Sequence, residues 1–202
     1  GFYYSIRMFD AERCPVEGCP NFVLTFGKTC FEHESDQKKI HGKIVHYLTE
    51  NNTIKDVNFS HMPFSGLDLS GKTFIRCRFA GSSFERCDFS HAVFHLSYFD
   101  FAQFNHCKFI KLNAQASVFA GSVIDNTDFG EYDILHSNFN GIRCSNSSFN
   151  DSDLYFSHFI SGFIKKTTVI DCNIKKVHLI HTVMKNVSFK YSNYEDADFR
   201  EE

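Results

Sequence analysis

Three cysteines and one histidine near the start of the chain have the spacing of a metal site. Cys14, Cys19, Cys30 and His33 follow the pattern C-x4-C-x10-C-x2-H. Two close pairs of soft ligands separated by a short loop form the arrangement that a structural Zn²⁺ requires. Because four protein ligands leave no position for a catalytic water, the pattern predicts a structural rather than a hydrolytic zinc ion.

Two alternatives to zinc stay open from the residues alone: disulfide-linked cysteines and unligated thiols. The fourth ligand is open as well, since His41 or His46 could replace His33. A zinc ion has a physical reason here, because residues 1–34 are too few and too polar to bury a core of their own. We therefore expect residues 1–34 to form a small zinc-binding module, in which Phe2–Phe9 is predicted to be a strand.

A short helix is predicted to follow this module, within residues 35–52. Ser35 or Asp36 can serve as its N-cap, and Asn51 with Asn52 is expected to end it. Its apolar residues recur at helical spacing and make one face, namely Ile40, Ile44, Val45 and Leu48. We expect this helix to cap the repeats that follow it, because an open solenoid end exposes apolar side chains and unpaired strand edges. A partner-binding helix is the alternative.

The rest of the chain carries an apolar residue, usually Phe, at every fifth position from Ile54 to Phe199. The residue two positions earlier is mostly small, as at Cys87 and Ser97. In an extended segment residues i and i−2 point the same way, so each unit buries one large and one small side chain. The other three positions carry Gly, Asn, Asp, Lys and His, which suit a corner. Two inward positions are exceptions at which we expect local distortion or outward flipping, Lys72 and Tyr132.

A chain that turns a corner every five residues in one direction closes on itself and climbs as a coil. Successive turns of that coil should lie about 4.8 Å apart, which is the strand spacing. If each turn contains four units, most of the apolar centres on one side of the coil are not Phe. Those on the next side are all Phe except Leu179. The clustering predicts a four-sided rung of 20 residues, in which each Phe stacks on the Phe above and below it.

These units resemble those of the pentapeptide-repeat family, whose usual pattern is A(D/N)LXX, over residues 54–199. Examples are Cys87-Asp-Phe-Ser-His91 and Ala197-Asp-Phe-Arg-Glu201. The resemblance implies an all-β fold, a right-handed, four-sided parallel β-helix of about 7.5 coils over residues 53–202. It implies no particular activity, because family members serve as interaction surfaces and some resemble B-DNA in shape and charge.

We predict that the chain is not an enzyme. Its remaining cysteines fall at inward positions and the histidines of the coil fall at outward ones, so the repeat already explains each candidate. Cys87 and Cys107 should stack one rung apart and could bond on oxidation, whereas His158 and His178 should be vertical neighbours. Abundant free cysteine indicates a reducing compartment, and hence a cytoplasmic protein. A metal-dependent enzyme that uses the Cys/His cluster is an alternative.

The predicted function is that of a non-catalytic scaffold for protein–protein interaction. Some outward residues are apolar without structural need, and lysines crowd the last rungs, so both groups are candidate partner-binding residues. They are Leu96, Leu135, Tyr155, Phe156, Lys165, Lys166, Lys175 and Lys176. Tyr194 and Phe199 should lie near an open end, which predicts a homodimer through the C-terminal coil.

The charge of the coil bears on a second hypothesis, a DNA-mimicking inhibitor or protector of a type II topoisomerase. Gyrase-protecting members of the resembled family are held to have a strongly acidic surface. Residues 54–202 carry 15 Lys and Arg against 17 Asp and Glu, a net charge of −2, which weakens that analogy. Without a basic face, nucleic acid is not an expected partner, and without a run of eighteen apolar residues no membrane span is expected.

Overall fold

One α-helix, a 3₁₀ helix and eleven short strands make up the secondary structure of this computed structural model, which describes residues 12–131 and 133–200. The strand predicted at Phe2–Phe9 and the inward residue Tyr132 lie outside the described residues. The 3₁₀ helix is Phe31–His33 and α1 is Gln37–Glu50. The strands are β1 Thr53–Lys55, β2 Pro63–Ser65, β3 Thr73–Ile75, β4 Ser83–Glu85, β5 Val93–His95, β6 Gln103–Asn105, β7 Asn113–Gln115, β8 Val123–Asp125, β9 Arg143–Ser145, β10 Phe163–Thr168 and β11 Val183–Ser188.

The strands pair in parallel with a constant offset of 20 residues, so the predicted four-sided rung is confirmed. Ile54 pairs with Phe74 on one side, and Phe64 pairs with Phe84 on the opposite side. A four-stranded sheet in the order β1-β3-β5-β7 and a seven-stranded sheet in the order β11-β10-β9-β8-β6-β4-β2 form these two sides. Isolated parallel bridges such as Asp68↔Asp88 connect the rungs on the remaining sides. The chain is an all-β parallel solenoid of about seven turns.

The interior of the coil is the predicted column of Phe rings. On one side the rings stack face to face at centroid separations of 5.2, 5.2, 5.0 and 4.8 Å, in the order Phe79, Phe99, Phe119, Phe139 and Phe159. These separations are close to the strand spacing, because each ring is carried by one rung. Full burial of one such side chain stabilises the fold by about 1.5–3 kcal/mol.

The small inward residues satisfy backbone groups that the Phe column would otherwise leave buried without a partner. The hydroxyl of Ser157 donates to the carbonyl oxygen of Ile134 at 2.8 Å, and that of Ser82 donates to Phe59 at 2.9 Å. Each of these bonds reaches back 23 residues, to the centre of the rung before. A small hydroxyl or thiol is therefore favoured there, since it fills the gap and makes a hydrogen bond.

The corners have one backbone conformation throughout the coil. Every fifth residue from Asp56 to Asp196 has a φ between +47° and +68°. Glycine adopts this left-handed region without strain, but most of these positions carry other residues, such as His61 or Phe101. Their backbone N–H groups bond to the next rung, as that of His61 does to Ala80 at 2.9 Å. The regular ladder thus imposes a conformation that local propensity alone would not choose.

Helix α1 packs on the first rung, as predicted, with Asp36 as N-cap and Asn51 as C-cap. Its buried residues Ile40, Ile44 and Leu48 join the same apolar core as Ile54 and Phe59. Among the described residues no helix has the length and apolar character needed to cross a bilayer, since α1 has 14 residues.

The expectation for Lys72 was wrong. Its side chain is 7 % exposed and does not flip outward. The ammonium donates to the carbonyl oxygens of Thr49 and Asn51, both at 2.9 Å, so it closes the C-terminal end of α1. A cation is stabilised at that end of a helix by the macrodipole and by unsatisfied carbonyl groups.

Candidate functional sites

The structure brings Cys14, Cys19, Cys30 and His33 together into one cluster. Their sulfur and ring nitrogen atoms all lie within 4.8 Å of one another. His33 Nδ1 lies 3.5 Å from Cys14 Sγ and 3.3 Å from Cys30 Sγ, and Cys19 Sγ lies 3.8 Å from Cys30 Sγ. Three thiols and one imidazole at such separations suit the donor set of a four-coordinate zinc ion.

The backbone around the cluster turns tightly enough to aim two ligands at one point. Cys19 N–H donates to Val16 O at 3.1 Å and closes the first turn, in which Gly18 has a φ of +76°. His33 N–H donates to Cys30 O at 3.1 Å in the 3₁₀ helix and closes the second turn. Each turn therefore presents two of the four candidate ligands to the same point.

Glu34 is a supporting residue that the sequence analysis missed. Its Oε1 accepts hydrogen bonds from the backbone N–H groups of Lys28 and Thr29, at 2.7 and 2.9 Å, and from the Thr29 hydroxyl at 3.0 Å. A Cβ at Gly27 would lie 2.6 Å from the same oxygen. Glu34 and Gly27 thus shape the loop that leads into Cys30. A glutamate beside a metal-ligand pattern carries no sequence signal that would separate this role from solvation.

The position of His41 decides which histidine belongs to the cluster. His41 Nε2 lies 2.7 Å from the carbonyl oxygen of Pro63, and its ring stacks on Phe64, so it tethers α1 to the coil. Neither His41 nor His46 is among the four residues whose ligand atoms converge. His33 is therefore the histidine of the cluster.

The thiol of Cys14 is prepared for deprotonation. Burial by itself would raise the pKa of this thiol, but hydrogen bonds from the backbone of Cys30 and Val16 and from the His33 ring lower it to about 6. Metal ligation requires the thiolate, so these hydrogen bonds favour the form of Cys14 that could bind a metal ion.

The module that holds the cluster is docked on the first rung by side-chain contacts. Asn58 Nδ2 donates to Val23 O at 2.8 Å, and Asn58 N–H donates to the Thr25 hydroxyl at 2.8 Å. Phe26 contacts the Tyr47 ring of α1 edge-on at 5.1 Å. The cluster, the helix and the first rung are thereby connected through named contacts.

A second candidate site is a surface cluster of aromatic rings on one corner of the coil, here called the aromatic–histidine patch. Its members are His136, Tyr155, Phe156, His158 and His178. The His158 and His178 rings stack at 4.9 Å with an interplanar angle of 6°, and Phe156 meets both edge-on at 5.6 and 5.8 Å. Phe156 is 39 % exposed despite these contacts.

The predicted apolar surface residues lie at this corner, but not all of them are neighbours. Leu135, Tyr155 and Phe156 belong to adjacent rungs, whereas Leu96 lies three rungs below Phe156 in the same column. The five-residue period predicts that the histidines point outward, but their grouping with Phe156 was not predicted. The signal was their spacing, since residues 20 apart are vertical neighbours and 136, 156 and 176 share one column.

The four predicted lysines do not form one patch. Lys165 lies in β10, in the seven-stranded sheet, and Lys166 follows it at the same corner. Lys175 and Lys176 lie on the side of the four-stranded sheet, beside the aromatic–histidine patch. Lys175 is paired with Glu195, and Lys176 Nζ lies 5.9 Å from the Tyr155 ring centroid. Of the four lysines, only Lys175 and Lys176 can act together with the aromatic residues.

Comparisons with known proteins agree with this architecture. The family model for pentapeptide repeats matches residues 55–95 and 73–109. A comparison with curated proteins finds no significant match. A solved structure of QnrB1, described as a plasmid-mediated fluoroquinolone resistance protein, is 18 % identical and superposes with a TM-score of 0.69, covering 74 % of this chain and 76 % of its own. HetL of the cyanobacterium Nostoc, described as involved in heterocyst differentiation regulation, is 9 % identical. It covers 78 % of this chain and 93 % of its own, and its TM-score of 0.29 is too low to support a structural argument. With its five-residue register, its 20-residue rungs and the match of residues 55–109 to the family model, the coil of this chain is built of pentapeptide repeats.

Proposed function

We propose that this protein is a non-catalytic scaffold for protein–protein interaction, with the aromatic–histidine patch as its contact surface. The observation that carries the proposal is the packing of Phe156 among three histidine rings while 39 % of its surface stays exposed. Aromatic side chains supply large contact area at low entropic cost and are enriched in interfaces. Their preorganisation on a rigid β-helix lowers the cost of binding further.

The partner proposed for this surface is a protein with an apolar side chain flanked by acidic groups. The apolar side chain would contact Phe156, and the acidic groups would meet Lys176 beside it. Lys176 is exposed and held over the Tyr155 ring, so its charge lies next to the aromatic surface.

A photo-crosslinking amino acid tests this surface. It would replace Phe156 in one variant and Val123, which is equally exposed at 39 % on the seven-stranded sheet, in the control. The proposal predicts that position 156 crosslinks a discrete protein in lysate from the native host, that position 123 does not, and that Lys176→Glu abolishes the product. Equal labelling at both positions, or persistence of the product in the Lys176→Glu variant, would argue against this surface.

We also propose that the Cys14, Cys19, Cys30 and His33 cluster holds one structural Zn²⁺. The convergence of three thiols and one imidazole supports it, and four protein ligands leave no open position for substrate or water. The protein purified without chelator should contain one zinc per chain by elemental analysis, and Cys14→Ser should lose it. A protein free of zinc, or a Cys14→Ser variant that retains one equivalent, would refute the site. Loss of a catalytic activity together with the zinc would favour the metal-dependent enzyme instead.

A second candidate function is protection or inhibition of a type II topoisomerase. The similarity of fold to a fluoroquinolone resistance protein favours it, whereas the nearly balanced charge of the coil speaks against mimicry of DNA. A supercoiling assay with gyrase in the presence of a fluoroquinolone separates the two functions. Protection or inhibition at micromolar protein would support this candidate, and an unchanged reaction would eliminate it.

Two further proposals concern assembly and location. The outer edge of β11 is unpaired among the described strands, and Tyr191 and Tyr194 beside it are 83 % and 66 % exposed. These features support a homodimer through the C-terminal coil, for which light scattering should give twice the monomer mass, and Tyr194→Glu should restore the monomer.

The five buried free thiols of the coil support a cytoplasmic, reducing location, which imaging of the tagged protein in its host would test.

A further inference from the structure

Two of the buried cysteines are vertical neighbours inside the coil. Cys87 and Cys107 occupy the same inward column one rung apart, and Lys108 N–H donates to Cys87 O at 3.1 Å between those rungs. The other three cysteines of the coil have different neighbours in their columns. Cys77 lies below Ser97, Cys172 lies between Ser152 and Ser192, and Cys144 lies between Ile124 and Ile164.

The surroundings of this pair differ from those of an inert buried thiol. A surface trough of about 410 Å³ lies over it, lined by Arg86, Cys87, Asp88, His106 and Lys108. The Cys107 thiol donates to the carbonyl oxygens of Phe84 and Asn105, and the Cys87 thiol donates to that of Glu85. The interaction of the two neighbouring side chains lowers the pKa of Cys87 and, together with burial, raises the pKa of Cys107. Burial raises the pKa of both Cys77 and Cys172. Thiolate reactivity is favoured by neighbouring hydrogen-bond donors. Backbone groups of Leu67 and Gly66 lower the pKa of Cys87 in this way, and Arg86 and Lys108 line the trough beside it.

We propose that Cys87 and Cys107 form a redox pair, in which a hydroperoxide oxidises Cys87 and Cys107 closes a disulfide between neighbouring rungs. The proposal is independent of the scaffold function and of the zinc site. It assigns the attacking role to Cys87, which lines the trough, and the resolving role to Cys107.

The chemistry is balanced with hydrogen peroxide as the oxidant. The Cys87 thiolate attacks one peroxide oxygen, the O–O bond breaks, and hydroxide leaves and takes up a proton as water. The resulting sulfenic acid is attacked by the Cys107 sulfur, so that the S–S bond forms and the S–O bond breaks. The hydroxyl group leaves with the Cys107 proton as a second water. Two thiols have lost two electrons, and one peroxide has become two waters.

The backbone spacing of the coil suits this bond, and a small local shift must bring the two parallel Cβ atoms from about 4.8 Å to within about 4.5 Å of each other. In-register residues of neighbouring rungs lie roughly 4.8 Å apart at Cα, inside the range of about 4.4–6.8 Å that disulfides span. Cys87 and Cys107 are only 1 % and 2 % exposed, so peroxide must enter through local opening of the trough floor. We therefore expect oxidation to be slow compared with that of an exposed thiol, and reversible by a dithiol.

The first test uses the wild-type, zinc-loaded protein treated with hydrogen peroxide under native conditions. Peptide mapping by mass spectrometry without reduction should find a Cys87–Cys107 crosslink, lighter by two hydrogens than the paired thiols, while Cys77 and Cys172 remain free. A thiol reductant should remove the crosslink. The proposal would be overturned if this crosslink were absent and every thiol of the coil stayed intact. It would also be overturned if the crosslink were absent and Cys77 and Cys172 were oxidised as fast as Cys87 and Cys107.

The second test separates the roles of the two cysteines. The substitutions Cys107→Ser and Cys87→Ser fit the fold, because the same column already contains Thr127 and Ser147. With peroxide and dimedone, Cys107→Ser should trap a sulfenic acid at Cys87 at least about tenfold faster than Cys77 is labelled. Cys87→Ser should show no comparable adduct at Cys107. Equal labelling in the two variants would overturn the assignment of roles.

Discussion

The ammonium of Lys72 donates a 2.9 Å hydrogen bond to the carbonyl oxygen of Thr49, in the last turn of α1. A second bond from the same nitrogen reaches Asn51 O. One inward residue of the coil therefore holds the end of the helix that covers the coil. This lysine occupies a slot that a small residue fills in most other units.

Replacing Lys72 by Met should destabilise the protein by about 1–3 kcal/mol, because the carbonyl groups of Thr49 and Asn51 lose a charged donor in a partly buried site. Urea denaturation followed by circular dichroism measures the loss. Lys38→Met, at an exposed position of α1, is the matched control and should change stability by less than about 0.5 kcal/mol. Equal effects of the two substitutions would contradict the role given to Lys72.

Zinc binding should depend on His33 and not on the two histidines of α1. We expect His33→Ala to weaken zinc affinity by about tenfold or more, since even supporting residues of metal sites contribute that much. Competition with a chromophoric chelator measures the affinity. His41→Ala and His46→Ala are the controls and should bind zinc as the wild type does. A weaker affinity in His46→Ala with an unchanged His33→Ala would reassign the ligand.

Gly121 and Gly141 have the same backbone conformation, with φ of +66° and +68°, but different surroundings. A Cβ at Gly121 would lie 2.5 Å from the Phe101 ring, whereas a Cβ at Gly141 would meet nothing nearer than 3.8 Å. Both Ala substitutions should cost about 1 kcal/mol for the left-handed φ, and Gly121→Ala should cost more because the ring must move.

Thermal denaturation of the two variants tests this difference. Adding Phe101→Ala to Gly121→Ala should remove the excess, so that the double variant shows only the backbone cost. If Gly121→Ala and Gly141→Ala denature together, the contact of Phe101 with Gly121 is absent in solution.

The ion pair between Asp56 and Arg76 should make a small, pH-dependent contribution to stability. Arg76 Nε and Nη2 donate to the two carboxylate oxygens at 2.6 and 2.9 Å, and these hydrogen bonds lower the pKa of Asp56. The contribution is therefore complete above the ordinary Asp pKa of 3.8 and is lost as the pH falls through the lower value in the folded protein. Both side chains are partly exposed, so the effect should be smaller than that of Lys72→Met.

Urea denaturation of Asp56→Asn and wild type at several pH values tests this sign. The wild type should be the more stable at pH 7, and the difference should shrink as the solution is acidified below 3.8. A difference that grows in acid would mean that the carboxyl group is destabilised in the folded protein.

Much of the fold was predictable because one rule repeats. Each five-residue unit has an apolar residue at its centre and a small residue two positions before it, and few folds other than a coil can bury both. The 20-residue rung was predicted because centres other than Phe, such as Ala114 and Ile134, then fall on the same side of the coil. The corners were less predictable. Phe101 and His61 adopt left-handed φ because the neighbouring rungs hold their N–H groups, and no local preference signals that.

The cluster of three cysteines and one histidine and the surface patch were likewise predictable only in part. The spacing of Cys14, Cys19, Cys30 and His33 indicated the donor set, but only the folded chain excluded His41, by directing its ring to Pro63. The role of Glu34 depends on a loop that has no sequence signature. The patch around Phe156 arises from residues 20 apart, whose proximity is visible only when the period of the coil is known.

The sequence by itself determined the period, the inward and outward positions and the candidate ligands, because each depends on local spacing along one chain. Tertiary structure alone decided which histidine joins the thiols and where Lys72 directs its charge. Those outcomes depend on contacts between residues about 20 or more positions apart in the sequence. The physical reason is that many residues could make such contacts, and only the packing of the folded chain selects among them.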